Sequence, residues 1–213
     1  MKKTLLIFDF DGTIADTLDV AVDIVNEMSV EFSFQSVTRE EFVYYRGKSI
    51  PELMRISGLS WIQLPALVKR TRDHFKKRIA DVVPVNGMPE ILSTLSKRGY
   101  RMGILTSNTR ENVETFLADH GLELFEFIHA PKSLFGKAKR LKEIQRTLAV
   151  PHAEIVMIGD EVRDTEAAHK AAVDSVAVTW GFNSQALLES HTPTCLLTDP
   201  KELLTLFPET IPT

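Results

Sequence analysis

The sequence predicts an α/β fold, a doubly wound parallel sheet that carries an inserted all-helical domain. Apolar stretches that are typical of buried strands alternate with helical stretches from residue 88 onward. A first apolar stretch over residues 4–9 stands apart from the others, because residues 16–83 contain helical signals only. The alternation indicates a Rossmann-like core whose sheet is covered by helices on both faces.

The predicted strands are near-continuous in apolar residues, which favours parallel strands buried on both faces. Helix ends between them agree with this interpretation, since Lys97-Arg98-Gly99 and His120-Gly121 are typical stops and Asp199-Pro200 a typical start. The order of the strands in the sheet does not follow from the pattern. The strands are expected at residues 4–9, 101–106, 126–130, 154–158 and 174–179.

The helical block over residues 16–83 is predicted to fold as a cap domain. Capping-box patterns at Thr38, Ser49 and Ser60 each indicate the start of a helix. The block separates the first strand from the second, so the α/β core would comprise residues 1–15 and 84–213. A helical cap inserted there can cover the edge of the sheet at which the first strand ends.

Two aspartates mark that edge. Asp9 and Asp11 follow the first apolar stretch, and side chains two residues apart in an extended segment share a face. Ligands bind beyond the carboxyl ends of strands in open parallel sheets, so both are expected to point into one site. A plain Asp-Gly turn would explain the residues without function. A calcium loop does not fit, because Ile14 occupies the position that requires glycine.

Other apolar stretches also deliver polar residues at their carboxyl ends. The second strand leads into Thr106, Ser107 and Asn108, and the fourth leads into Asp160 and Asp164. Asp160 and Asp164 alone could be acids favoured by a helix N-terminus, and Thr106 could be a helix cap. Their coincidence with two aspartates at the first strand favours one shared catalytic edge.

These motifs, together with Lys137 before an amphipathic stretch, resemble those of the haloacid dehalogenase superfamily of phosphohydrolases. The chain has Asp9-x-Asp11-Gly12-Thr13, a hydroxyl at Thr106, Lys137, and Gly159-Asp160-x-x-x-Asp164, in the family's order. The resemblance covers the whole chain and implies a phosphatase with a helical cap, similar to phosphoglycolate phosphatases. Ser107, Asn108 and Glu161 depart from residues common in relatives, so the resemblance names no particular substrate.

The resemblance also implies roles for these residues. Asp9 would be the nucleophile that forms an aspartyl phosphate, and Asp11 the general acid and base. Mg²⁺ would be the cofactor, because oxygen-only ligands suit it, with Asp164 orienting its water or Lys137. Lys137 would neutralise charge on the phosphoryl group. Mg²⁺ is expected on Asp9, Asp160 and the backbone carbonyl of Asp11, and the substrate phosphate on Thr106, Ser107, Asn108 and Lys137.

In the cap, Arg46 and Lys48 are the residues expected to select the substrate. They flank a glycine ahead of a predicted helix start, and a cap loop can contact the part of the substrate beyond its phosphate. A solvated helix-start loop is the alternative. A nucleotide-binding P-loop is not indicated, since Phe42 stands where that motif requires glycine.

Composition limits partners and location. The chain has 213 residues with a formal net charge of −4, which argues against general nucleic-acid binding and leaves a small phosphorylated metabolite as the expected partner. A single cysteine, Cys195, fits a reducing compartment, and no apolar stretch is long enough for a membrane span. We therefore expect a cytoplasmic protein with no membrane partner. The oligomeric state does not follow from the sequence.

Three alternatives to a phosphatase remain open. A phosphomutase would keep the aspartyl phosphate but return the phosphoryl group to a product hydroxyl, and a pyrophosphatase would use the same site. A non-catalytic phosphate-binding or regulatory protein on this fold is expected to have lost one of the catalytic residues. Asp9, Asp11, Lys137 and Asp160 are all present, which favours the enzyme.

Overall fold

The structure, a computed structural model, describes residues 3–48, 50–130 and 136–209. Its strands and α-helices follow the predicted alternation. The strands are β1 (Leu5–Phe8), β2 (Ala15–Asp16), β3 (Val83–Pro84), β4 (Arg101–Leu105), β5 (Phe127–His129), β6 (Ile155–Gly159), β7 (Asp174–Val178) and β8 (Cys195–Leu197). The helices are α1 (Leu18–Phe32), α2 (Arg39–Arg46), α3 (Ile50–Ser57), α4 (Leu64–Arg78), α5 (Met88–Lys97), α6 (Arg110–Asp119), α7 (Lys137–Leu148), α8 (Val162–Ala171), α9 (Gln185–Glu189) and α10 (Glu202–Leu206).

The main sheet has six parallel strands in the order β5-β4-β1-β6-β7-β8. Strand β1 lies in the middle, and its register aligns Phe8 with Ile104 of β4 and with Ile158 of β6. From β1 the chain first adds β4 and β5 on one side, and then adds β6, β7 and β8 on the other side. This reversal of strand order creates the crevice in which α/β proteins bind ligands.

Helices cover both faces of this sheet, as the near-continuous apolar strands require. In β1, Leu6 and Phe8 belong to the larger core cluster, and Leu5 and Ile7 belong to the cluster on the opposite face. All four side chains are fully buried. The predicted doubly wound α/β fold is therefore confirmed, with each of the five expected strands within two residues of its predicted bounds.

Two kinds of local prediction were wrong. Strands β2, β3 and β8 were missed, because two or three residues are too few to stand out as a periodic pattern. Helix α4 begins at Leu64 and not at Ser60, since the side chain of Gln63 accepts hydrogen bonds from the backbone and hydroxyl of Ser60 within a turn. The capping box at Thr38 is confirmed. The one expected at Ser49 lies outside the described residues.

Helices α1, α2, α3 and α4, here called the cap helices, occupy residues between the first two core strands. The chain leaves and re-enters the core through β2 and β3, which pair antiparallel with Asp16 opposite Val83. Leu18 and Phe42 of the cap helices pack in one cluster with Phe182 of the core. The domain bounds of 16–83 for a cap and 1–15 with 84–213 for a core stay a prediction. None of the described helices is long and apolar enough to cross a bilayer.

Candidate active site

Polar side chains gather where the central strands of the sheet end. Asp9 follows β1, Thr106 follows β4, and Asp160 follows β6, so the parallel register brings all three to one edge. Each of the three is buried. Buried polar groups require partners, and each side chain is held by specific hydrogen bonds or ion pairs.

Lys137 joins two of the carboxylates. Its Nζ lies 2.6 Å from Asp9 Oδ2 and 2.5 Å from Asp164 Oδ1, and all three side chains are buried. The remaining oxygens are also occupied, since Phe10 N–H donates to Asp9 Oδ1 at 2.7 Å and Glu161 N–H to Asp164 Oδ2 at 3.2 Å. The Asp9 carboxylate is therefore held in one orientation. Lys137 itself is the first residue of α7, and the loop expected around it is described only from residue 136.

Asp160 is fixed from two sides and is closely surrounded. Thr13 Oγ1 donates to its Oδ1 at 2.7 Å, and Phe182 N–H donates to its Oδ2 at 2.8 Å. A Cβ atom on Gly12 would lie 2.4 Å from Asp160 Oδ2, and one on Gly181 would lie 2.3 Å from the same atom. Gly12 also has φ of +75°, which other residues rarely adopt. Both glycines are therefore needed to leave space for this carboxylate.

Asp11 faces a different partner. Both of its carboxylate oxygens accept from Asn108 Nδ2, at 3.0 and 3.2 Å. The Asn108 amide is itself oriented, because its Oδ1 accepts from Thr109 N–H and from Asn112 Nδ2. Burial, together with the negative charge of Asp9, raises the pKa of Asp11 to about 6. A carboxyl group in this environment can hold a proton near neutral pH and release it again.

The loop after β4 presents hydroxyl groups to the same region. Thr106 Oγ1 accepts from Asn108 N–H at 3.0 Å, and Ser107 Oγ accepts from the Arg163 guanidinium at 3.2 Å. The Thr106 hydroxyl does not cap the following helix, since Thr109 does so by accepting from Asn112 N–H. Helix capping therefore does not explain the presence of Thr106 at this position.

Comparison with known proteins identifies the family. A model described as haloacid dehalogenase-like hydrolase matches residues 6–178. The chain belongs to the haloacid dehalogenase-like hydrolases. A phosphoglycolate phosphatase from Synechococcus elongatus is 34% identical over 204 residues, which cover 93% of this chain and 94% of that protein. The pyrophosphatase PpaX from Bacillus cereus is 24% identical over 212 residues, covering 96% of each chain.

Solved structures of the same family share the fold. A haloacid dehalogenase-like family hydrolase from Streptococcus pneumoniae superposes with a TM-score of 0.84 at 23% identity, covering 97% of this chain and 99% of that chain. The predicted family, its similarity to phosphoglycolate phosphatases and the prediction of an enzyme of the phosphatase class are confirmed.

The acidic cluster of this haloacid dehalogenase-like hydrolase has the composition of a metal site. Ligand atoms of Asp9, Asp160 and Asp164 all lie within 4.8 Å of one another. Lys137 contacts Asp9 and Asp164, but the three carboxylates still repel one another. Burial and the negative charges of Asp9 and Asp164 raise the pKa of Asp160 to about 7. Burial disfavours the Lys137 ammonium, but Asp164 and Asp9 outweigh it and raise its pKa. Three clustered carboxylates, two of them in contact with the Lys137 ammonium, fit a hard divalent cation such as Mg²⁺.

Asp9 and Asp11 direct their side chains to different partners. The side-chain cluster contains Asp164, whereas the Asp11 side chain is turned to Asn108. Strand β1 ends at Phe8, so Asp9 and Asp11 lie in the following turn and not along an extended strand. The turn separates their directions, which gives the two carboxylates different partners.

The cap helices contribute Arg46 to this edge. Its guanidinium forms an ion pair with Glu161 and lies 4.0 Å from the centroid of the Phe182 ring. Lys48 is placed differently, because its Nζ lies over the ring of Tyr44, 4.5 Å from the centroid. The structure thus brings Arg46 to the core, whereas the Lys48 ammonium packs against Tyr44 of α2.

Sequence reasoning missed several residues at the site. Arg163 forms a second ion pair with Glu161, so one carboxylate holds an arginine from the cap and one from the core. Gly181 and Phe182 pack around Asp160 from the loop after β7. Thr106 was found because it follows the carboxyl end of a predicted strand. The same criterion could have found this loop, which follows the strand predicted at residues 174–179.

Proposed function

We propose that the chain is a Mg²⁺-dependent phosphatase that hydrolyses a small phosphate monoester through an aspartyl phosphate on Asp9. The observation that carries the proposal is the buried Asp9 carboxylate, held by Lys137 at 2.6 Å beside the acidic cluster. Asp11, whose pKa is raised, lies two residues further along the chain and accepts a hydrogen bond from Asn108. A nucleophile and an acid are therefore supplied by two carboxylates in different environments.

The two chemical steps follow from these positions. Asp9 attacks phosphorus and forms a new O–P bond, the ester O–P bond breaks, and Asp11 gives its proton to the leaving oxygen. Water then attacks phosphorus, Asp11 takes the proton of that water, and the Asp9–phosphoryl bond breaks. Asn108 holds Asp11 in place for both proton transfers.

Positive charge and donors near Asp9 support the transferred group. Lys137 is placed to neutralise charge on the phosphoryl oxygens, and Thr106 with nearby N–H groups would bind them. Asp9, Asp160 and the Asp11 carbonyl would hold Mg²⁺, with Asp164 beside them. The cation would supply screening between the anionic nucleophile and the anionic phosphate. Ser107 and Asn108 are bound to Arg163 and Asp11, so direct phosphate contact by them would require these hydrogen bonds to be shared.

The names of the relatives support two candidate substrates. Phosphoglycolate is the first candidate, since the relative at 34% identity is named a phosphoglycolate phosphatase. Pyrophosphate is the second, because other relatives are named pyrophosphatases. The acidic chain with a single cysteine supports a cytoplasmic enzyme acting on a metabolite rather than on nucleic acid or a membrane.

Removal of divalent metal is expected to abolish phosphate release, and added Mg²⁺ to restore it. Mg²⁺ should also raise the thermal unfolding temperature, because it offsets the repulsion within the acidic cluster. Differential scanning fluorimetry with and without chelator measures this. Asp160→Asn should lose the shift, and Asp119→Asn, at an exposed position of α6, should keep it. Full activity in the chelated protein, or an unchanged shift in Asp160→Asn, would contradict the site.

Arg46→Ala is expected to change substrate preference. Arg46 lies at the core edge through Glu161 and Phe182, where it can meet an anionic group beyond the phosphate. We expect kcat/KM for phosphoglycolate to fall about tenfold, the scale of one charge-assisted hydrogen bond, and kcat/KM for phenyl phosphate to change little. Exposed Arg39→Ala of the same helix is the matched control. Equal losses on both substrates would argue against a selectivity role.

A further inference from the structure

A large apolar cavity lies among the cap helices. Its volume is about 830 Å³, and helices α1, α2, α3 and α4 all contribute side chains to its wall. Most of the wall is hydrocarbon, as Met28, Phe42, Met54 and Leu67 illustrate. A cavity of this volume is within the range of sites that bind small organic molecules.

The core side of the cavity borders the catalytic edge. Its lining there includes Ser107, Glu161 and Arg163, which are adjacent in the chain to Thr106, Asp160 and Asp164. Arg46 also lines it, so the ion pairs that join Arg46 and Arg163 to Glu161 form its polar end. An occupant would therefore meet charged groups at the core and hydrocarbon within the cap.

Glycolate and phosphate do not match this space. Both are compact and polar, so they would leave most of the apolar cavity empty. Protein interiors are close-packed and keep few voids larger than a water molecule. Water gains little from an apolar wall, which offers it few hydrogen-bond partners. The size and chemistry of the cavity fit a hydrocarbon or aromatic group, and its polar end fits the oxygen-rich end of the same molecule.

We propose that the cavity receives the apolar leaving group of a phosphate monoester whose phosphoryl group lies at Asp9. This inference rests on the proposed phosphatase function and extends its substrate class from compact polar esters to alkyl or aryl phosphates. Arg46 and Arg163, both paired with Glu161, place their guanidinium groups at the end of the cavity that borders the site. The cap helices then recognise the substrate by burying hydrocarbon.

A series of n-alkyl phosphates from methyl to octyl tests the proposal in the full-length enzyme with Mg²⁺. Each methylene that enters the cavity should raise kcat/KM about two- to fourfold, from the transfer free energy of a buried methylene. The increase should stop when the chain fills the cavity. Met54→Trp and Leu67→Trp place an indole ring in the cavity from α3 and from α4, and either should remove the dependence on chain length. Both variants should lose more activity on octyl phosphate than on methyl phosphate, which is too short to fill the cavity.

Ile62→Trp is the matched control, because it adds the same ring at a cap position that is 90% exposed. It should keep the dependence on chain length, and thermal melting identifies any variant that does not fold. A flat series in the wild type with methyl phosphate hydrolysed would overturn the cavity proposal and leave the phosphatase intact. Hydrolysis of none of the esters would overturn both. An alkyl alcohol that changes rates without competing with octyl phosphate would identify an effector site and overturn the leaving-group assignment.

Discussion

Asp9→Asn is expected to lower kcat by roughly 10⁴-fold or more, because an amide cannot replace the carboxylate that attacks phosphorus. The substitution keeps the shape of the side chain and an oxygen that can accept from Phe10 N–H. It also removes one of three clustered carboxylates, so the unfolding temperature should stay level or rise. Phosphate release from phosphoglycolate, pyrophosphate, sugar phosphates and nucleotides, together with thermal denaturation, measures both effects.

Asp16→Asn is the control for this prediction. Asp16 is exposed on β2, close in sequence but outside the acidic cluster, so its variant should turn over normally. Substantial turnover by folded Asp9→Asn would refute the nucleophile. Wild-type inactivity across the panel would instead favour a phosphomutase, a substrate outside the panel or a binding protein.

Lys137→Met is expected to affect both stability and catalysis. Lys137 contacts Asp9 and Asp164 at 2.6 and 2.5 Å in a buried position, and its loss leaves two buried carboxylates without that cation. The free energy of unfolding in chelator should fall by about 3 kcal/mol, the scale for breaking a buried ion pair. Mg²⁺ should restore part of this stability. The value of kcat should still fall about 10²–10³-fold, because charge on the phosphoryl group is no longer neutralised.

Lys139→Met tests whether these losses are specific. Lys139 is an exposed residue of the same helix α7, so the substitution changes the same charge and nearly the same volume without touching the site. Chemical denaturation with and without Mg²⁺ and steady-state kinetics compare the two variants. Wild-type turnover in Lys137→Met would contradict the proposed role of the ammonium group.

The sheet was predictable because parallel strands buried on both faces leave a strong local signal. Leu5, Leu6, Ile7 and Phe8 form one apolar run whose alternate side chains enter opposite cores. The three residues of β8 carry no such signal, because an edge strand of this length is specified by its neighbour β7 through tertiary pairing. The start of α4 was misplaced since Gln63 can serve a turn as well as a capping box.

The candidate site could be predicted where residues follow strand ends in sequence. Asp9, Thr106 and Asp160 each stand directly after an apolar run, so topology brings them together. The contacts of Arg46 and Arg163 with Glu161 could not be predicted, because they depend on how the cap helices pack against the core. The cavity was equally hidden, since the apolar cap residues that line it have the pattern of a packed helix bundle.

Trapping the covalent intermediate tests the central claim most directly. Asp11→Asn should accept a phosphoryl group from p-nitrophenyl phosphate, whose leaving group needs no proton, but should release it slowly for lack of a base. Acid quench after the nitrophenolate burst, followed by peptide mass spectrometry, locates the phosphoryl group. We predict one phosphoryl group on Asp9, absent from the Asp9→Asn/Asp11→Asn double variant. A burst without phosphoryl on Asp9, or with it on another residue, would contradict the mechanism.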